Sequence, residues 1–500
     1  MTGFKTVDPA EWLDFDQAVG LEIRSPLFDF GSIPGILSYP VSLADTPHNR
    51  RLLGFPAARS RRVGPVPVVE ADYYVGGTLW RRGVLRYLGY DSAAGEYSYQ
   101  FEADADALAT RLDGVTLPRL TLPTAQGLAL GPETAAYVLA PIRNPAFYPA
   151  DKNPDWGGVV NYFAPGAGAP ATNPAGGAHR YAVVPLLKVV PLLRRAFGQF
   201  GYAVTGPWVA DAEIQALVLY STRALDAETG PEPAATFDYA DLLPDERFAE
   251  LILALQQTFC LAYVFPAGRR EVHIVALRDV VADLAAQPRQ PLAAYRDVAS
   301  TVDGFVLGYT PDGDDALLKA APWAEVRLGN GKEPLKPAAD TLRMVREADP
   351  LRPARRWLVP AAEQPGQSPR ADFEQTDNRS SHLRFLFYRG LQADSTGALY
   401  PLASSGTVDY ANLSVGNYAL TWDGPKGLYQ AWHKPWLDFR AAARVEERAV
   451  TLPLGEFLAL DPTRKDLVSG LKFLWESISV EAGGDGTLSE ATITYHQIAQ

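Results

Sequence analysis

The chain has 500 residues, a formal charge of −12, 41 prolines, 42 glycines and one cysteine. Its length implies about three to five domains with enough material for real cores. The proline and glycine content excludes an architecture of long regular helices. Cys260, standing alone, excludes an intrachain disulfide and a thiolate zinc site. The acidic balance, with no basic tail, argues against nucleic acid as a specific partner.

No run reaches 18 apolar residues, and Met1 to Glu11 lacks a signal-peptide core. Neither a membrane-spanning helix nor stable membrane insertion is expected. Aromatic residues make up 11% of the chain, which suits wide packing surfaces and subunit interfaces.

Residues 1–130 read as a β-rich, barrel-like domain. Gly20 to Arg24 and Tyr97 to Phe101 alternate, Thr46 to Arg50 opens a helix or turn, and Gly76-Gly77 suits a hairpin between Asp72–Val75 and Thr78–Leu88. A short helix is expected over 105–112. Residues 131–180 form an irregular linker rich in turn signals. Residues 181–300 read as a small α+β domain. Leu186, Val190, Leu193, Phe197 and Phe200 share one helix face, with Gly201 as the stop and Pro191 marking a kink or a late start. Asp211 to Tyr220 is expected to be another short helix.

The best-defined stretch runs from Pro244 to Leu277. Phe248, Leu251, Ile252, Leu255 and Phe259 form one stripe of a four-turn helix, with Asp245 and Glu246 in its first turn. Leu261–Phe265 and Glu271–Val275 then read as the two arms of a hairpin. Residues 301–440 are a second β-rich domain, with strand candidates at Phe305–Tyr309, Leu342–Arg346, Leu383–Tyr388 and Tyr418–Trp422. Residues 441–500 supply antiparallel strands that complete a barrel. The fold class is therefore mainly β with an α+β middle, in several domains.

The chemistry-bearing residues form no catalytic pattern. The six histidines, His48, His179, His273, His382, His433 and His496, make no His-x-x-His or His-Glu-x-x-His pair. Asp312-Gly313-Asp314-Asp315 lacks the twelve-residue calcium loop and its closing Glu, so a surface turn is the plainer assignment. Asp241, Asp245 and Glu246 are read as capping charge. No nucleophile elbow or phosphate loop is present. No catalytic, metal-binding or cofactor-binding residue is expected, and no cofactor.

Trp156 and Tyr162 flank a loop with little reason to order alone. Trp432 and Trp436 bracket His433 near a domain junction. These four are the candidate interface residues. Trp422, Tyr429, Trp432 and Trp436 also motivate a carbohydrate-binding alternative, and an inconspicuous carboxylate pair a glycan-hydrolase one.

Three groups of segments resemble a known family. The first is Ile23-Arg24-Ser25-Pro26-Leu27-Phe28, Tyr39-Pro40 and Thr46 to Pro56. The second is Asn144 to Tyr148, Pro185 to Tyr202, Asp241 to Pro244 and Phe259 to Tyr263. The third is Thr451 to Leu454, Leu460-Asp461, Gly470 to Leu474 and Ile478 to Val480. Together they are similar to tail or baseplate hub-like proteins of phages and prophages of Bacteroidetes-type bacteria. The resemblance is scattered over most of the chain and thinnest over 300–440.

It implies tube-like β-barrel domains with a small inserted helical/sheet domain. It also implies a ring of identical chains, usually three, that joins the tail tube or distal tail protein to a central spike. The place of action would be the virion tail, after assembly in the bacterial cytoplasm. An acidic lumen would keep passing DNA from sticking.

Overall fold

The computed structural model describes residues 2–31, 36–38, 40–58, 66, 68–103, 115–126, 128–151, 153–173, 181–226, 233–234, 236–299, 302, 304–368 and 382–498. The helix expected over 105–112 lies outside them. The fold is mainly β, as its composition demands. The chain forms two compact units, each assembled from separated segments. The first comprises residues 1–113, 261–302 and 435–500, and the second 114–260 and 303–434.

The first unit is built on one thirteen-stranded sheet. Its main path runs Gly3–Thr6, Val69–Val75, Thr78–Asp91, Glu96–Ala103, Ile36–Ser38, Val19–Arg24, Leu471–Ala482, Ala491–Gln497, Val445–Val450, Pro291–Val298. The pairings along this path are antiparallel. The strands form where the period is two: Val19–Arg24 buries every second residue, and so does most of Glu96–Ala103.

Glycine makes the tightest corner possible. Val75 faces Thr78 across Gly76-Gly77, both at positive φ, and a Cβ on Gly76 would lie 2.6 Å from Leu454. Further pairings branch from this path. The long strand Leu471–Ala482 pairs with Lys465–Val468 at its start and with Val19–Arg24 at its end. Ala286–Pro288 pairs with Lys465–Val468, and the chain directly after it pairs with Val445–Val450. The buried side of the sheet holds one apolar core in which Phe4, Tyr73, Trp80, Phe101, Phe457, Ile478 and Tyr495 are buried.

The second unit uses small sheets instead. One has six strands, with Leu383–Ala393 paired to Leu217–Leu219 on one side and to Ala339–Thr341 and Leu399–Ser404 on the other. A four-stranded sheet contains Arg343–Ala348 and Arg356–Ala361, and two further sheets have three and two strands. The helix Val189–Gln199 takes Pro191 in its first turn, where no backbone N–H is needed, and Gly201 stops it at φ 78°. The helix Phe248–Phe259 sets Phe248 against Phe197 at 5.2 Å and Phe259 against Trp208 and Trp432 at 5.5 and 5.4 Å.

Four expectations need correction. Asp245 and Glu246 precede the helix, because this stretch is spent pairing: Leu117 N–H donates to Glu246 O and Phe248 N–H to Val115 O. The first-turn acid is Glu250, whose carboxylate accepts from Arg247 N–H at 2.9 Å. Asp211 to Tyr220 is helical only over Ile214–Ala216, a single 3-10 turn. Its apolar end, Leu217–Leu219, is a fully buried strand between Leu186–Lys188 and Leu383–Ala393. Tyr418–Trp422 is a loop, held by side chains described below. The helix and hairpin of 244–277 belong to different units, divided after Cys260, a buried residue at φ 53° that ends the helix.

Candidate functional site

The densest polar constellation lies in the second unit, around Arg384. Its strand, Leu383–Ala393, is flanked on both sides, so its first seven residues are all buried. A guanidinium there must find counter-charges. Its Nη1 lies 2.8 Å from Asp315, Nη2 3.1 Å from Asp312 and Nε 3.0 Å from Asp340. Asp340 is brought there by register, directly opposite Arg384 on the neighbouring strand.

Asp315 also caps the helix Ala316–Ala320 by accepting from Leu317 N–H, and it accepts from Glu363 N–H. Asp312 N–H donates to Asp340 Oδ2 at 3.0 Å. The Tyr220 ring sits 5.9 Å from the guanidinium carbon. The turn expected at 312–315 is present, with Gly313 and Asp314 exposed, but its two ends are not surface groups: Asp312 and Asp315 are 5% and 0% exposed. They are drawn inside by a cation that lies far along the chain.

Three carboxylates face one guanidinium. Burial pushes the Asp340 carboxyl up to about 7, against the pull of Arg384. Burial lowers His382, whose Nε2 is 3.5 Å from Asp340. A narrow surface cleft, with room for about one water molecule, adjoins the cluster, lined by Tyr220, Ser221, Thr222, Arg223, Gln367 and His382. The cluster's carboxylates are taken up by Arg384 and by backbone N–H groups. Among the described residues no group of three or more His, Cys, Asp or Glu is placed to hold a metal ion. The arrangement pins two strands and the 310–316 loop together.

Two further guanidinium clamps repeat the design. Arg355 donates to Phe163 O at 2.7 Å, to Asp349 at 3.1 Å and to Asp394 at 2.5 Å, with the Trp357 ring 4.3 Å away. Arg389 pairs with Glu213 and donates to Gly406 O and Tyr418 O. Glu213 in turn accepts from Asn417 and Tyr418 N–H groups. This is what holds Tyr418–Trp422 as a loop. Of these arginines only Arg384 falls within a strand candidate of the sequence. The available signal was a single cation inside an apolar run, Leu383-Arg384-Phe385-Leu386-Phe387.

The four candidate interface residues lie elsewhere. Tyr162 is 1% exposed and donates to Asp349 at 2.9 Å, joining the Arg355 clamp. Trp156 is half-buried between Tyr148 and Tyr181 and donates to Asn144 O at 3.1 Å. Trp432 is buried against Phe259 and Tyr418 in the second unit. Trp436 is buried against Phe28 and Phe439 in the first. Tyr162, Trp432 and Trp436 are buried and Trp156 is partly exposed; of the other aromatic residues noted here, Trp422 is 2% exposed and Tyr429 is partly exposed.

His433 is fully buried, its Nε2 lies 3.1 Å from Thr258 O, and burial lowers it to about 4. His496 Nε2 is 2.7 Å from Glu476, His48 Nε2 2.8 Å from Trp12 O, and His273 Nδ1 4.0 Å from Glu271. His179 lies outside the described residues. Asp241 is 3.9 Å from Arg223. Glu246 is raised by burial and by Glu250, while Glu250 is lowered. Burial raises the Cys260 thiol, which suits an inert packing group.

No protein-family model matches the chain, and no curated protein matches it. Two solved structures align with 99% of it at 9% identity and a TM-score of 0.36 each. They are the 43 kDa tail protein of prophage MuSo2 from Shewanella oneidensis, covered over 97% of its chain, and a tail protein from Neisseria meningitidis MC58, covered over 96%. A likeness of that size carries no argument about activity or partners.

Proposed function

We infer that this chain is a structural ring component of a phage-type tail tip or baseplate hub, of the Bacteroidetes-phage kind. Three copies would link the tail tube or distal tail protein to a central spike within the virion tail. The observation that carries the reading is a pairing within the thirteen-stranded sheet. The opening segment Ile23 to Phe28 and the closing segment Ile478 to Val480 bear the resemblance independently, from opposite ends of the chain. In the fold they are neighbours, with Ile23 opposite Ile478 and Leu21 opposite Val480. The other end segments, Thr46 to Pro56, Thr451 to Leu454 and Gly470 to Leu474, belong to the same unit. End segments far apart in the chain that meet in one sheet are what a shared architecture would leave.

A ring protein of this kind acts through geometry: closed rotational symmetry, lateral contacts and axial stacking. Stiff units serve that role, and buried clamps supply stiffness. The test is native mass followed by class averages in the electron microscope. A trimer or hexamer with a central channel is expected. A monomer at all concentrations, with or without a tail-tube partner, would overturn the reading.

A further inference from the structure

The first unit carries an open cavity of about 320 Å³, walled by Glu22, Arg24, Ser25, Phe28, Asp29 and Glu476. That is the size of a small-ligand pocket. Two strands and a turn build it. Val19–Arg24 buries Leu21 and Ile23, which sends Glu22 and Arg24 to the other face. Leu471–Ala482 bulges at Glu476: Trp475 faces Tyr495 and Ser477 faces Thr494, so Glu476 has no counterpart on that neighbouring strand. Through this bulge two consecutive residues, Glu476 and Ser477, line the same cavity. The turn after Arg24 adds Phe28, whose ring is fixed by Trp436 at 5.3 Å, His496 at 4.4 Å and the Arg440 guanidinium carbon at 5.1 Å.

The polar groups of the wall are only partly used. Arg24 donates to Glu22 Oε1 at 3.0 Å, and His496 Nε2 lies 2.7 Å from Glu476 Oε2. The second oxygen of each carboxylate accepts no hydrogen bond among the described residues. The hydrogen bond from His496 holds Glu476 below its ordinary value, so it is ionised at neutral pH. Ser25 is 2% exposed, yet its Oγ does no more among the described residues than accept from Leu27 N–H at 3.4 Å. A hydroxyl so deeply placed at a cavity wall has a lone pair to offer. Three carboxylates share one lining cation, Arg24, whose side chain is 62% exposed. The cavity therefore offers ionised acceptors beside an aromatic wall, which match a cationic tip on an apolar stem.

We propose that this cavity binds an organic cation, an ammonium or guanidinium on an alkyl stem. Glu22 and Glu476 accept from the tip, Ser25 adds a third acceptor, and Phe28 packs the stem. A free polyamine and a lysine or arginine side chain of a neighbouring protein carry this same chemistry. The site does not depend on the ring reading.

The test is calorimetric titration of the full chain with agmatine, with 1,5-diaminopentane and with Nα-acetyl-arginine N-methylamide. Glu22 and Glu476 are partly exposed, so Glu22→Gln and Glu476→Gln should keep the fold, checked by circular dichroism. At least one probe should bind the parent. Either substitution should weaken that binding about tenfold or more, and added salt should weaken it too. Arg24→Gln, which removes the competing cation, should tighten it. Binding of the blocked arginine as tightly as agmatine would assign the site to a partner's side chain. Binding of the free amines alone would assign it to a polyamine. No binding of any probe, or binding that both glutamine variants retain, would overturn the proposal. A monomer by native mass would sink the ring reading and leave this site standing.

Discussion

The two units solve the same problem, holding strands in register, by different means. In the first, strands of 12 and 14 residues, Leu471–Ala482 and Thr78–Asp91, run through one continuous ladder over a single apolar core. Register there is set by the alternation itself, since a slip of one residue would turn the buried face outward. In the second, many strands have only two or three residues, such as Ile142–Arg143 and Leu217–Leu219. Such strands specify little register, and the buried guanidiniums of Arg384, Arg355 and Arg389 tie them and their loops together. A buried ion network is a poor source of net stability but a strict condition on geometry. The first unit has buried pairs of its own, Arg289 with Asp466 and Arg448 with Glu446, but they lie along strands whose register the pattern already sets, whereas the second unit's short strands and loops depend on theirs.

The largest effect should come from removing a clamp's only cation. Arg384→Met leaves Asp312, Asp315 and Asp340 facing one another, and should cost about 3–5 kcal/mol. Urea unfolding followed with separate probes for the two units should show the second unit's transition moving to lower denaturant and the first unmoved. A midpoint within error of the parent would mean that the cluster is solvated, contrary to its burial.

A core trim in the first unit should cost less. Ile478 is 1% exposed beneath the sheet, and Ile478→Val should lose about 0.5–1.5 kcal/mol, with no dependence on pH or salt. A loss that changed markedly with pH or salt would show that Ile478 is coupled to this unit's charge pairs rather than to its apolar core alone.

The smallest and most specific effect concerns pH. Asp340 holds its proton up to about 7, against an ordinary value of 3.8. The folded state therefore binds the extra proton between these values. The associated stability is full at the acid end and is lost as pH rises through about 7. His433 acts with the opposite sign: lowered from 6.5 to about 4, it costs stability as pH falls through that interval. Asp340→Asn should flatten the alkaline side of the melting-temperature profile and leave the acid-side fall in place. A profile merely displaced, parallel to the parent from pH 4.5 to 8, would contradict this assignment.

The sequence by itself determined the local pieces. The stripe from Phe248 to Phe259, the late start at Pro191, the stop at Gly201, the Gly76-Gly77 corner and the alternation of Gly20 to Arg24 were all legible. Each depends on a period or a backbone preference that neighbouring residues already express. Only the tertiary structure decided what depends on a distant partner. It placed Ile23 beside Ile478 and drew Asp312 and Asp315 inward to Arg384. It kept Glu246 and Arg247 out of the helix by pairing this stretch with residues 115–117. It also buried Tyr162, Trp432 and Trp436, whose aromatic rings read the same in sequence whether they face a subunit or their own core. The physical reason is common to all of these. Periodicity is written in adjacent residues, whereas burial and charge pairing are properties of a contact, and the other half of each contact lies elsewhere in the chain.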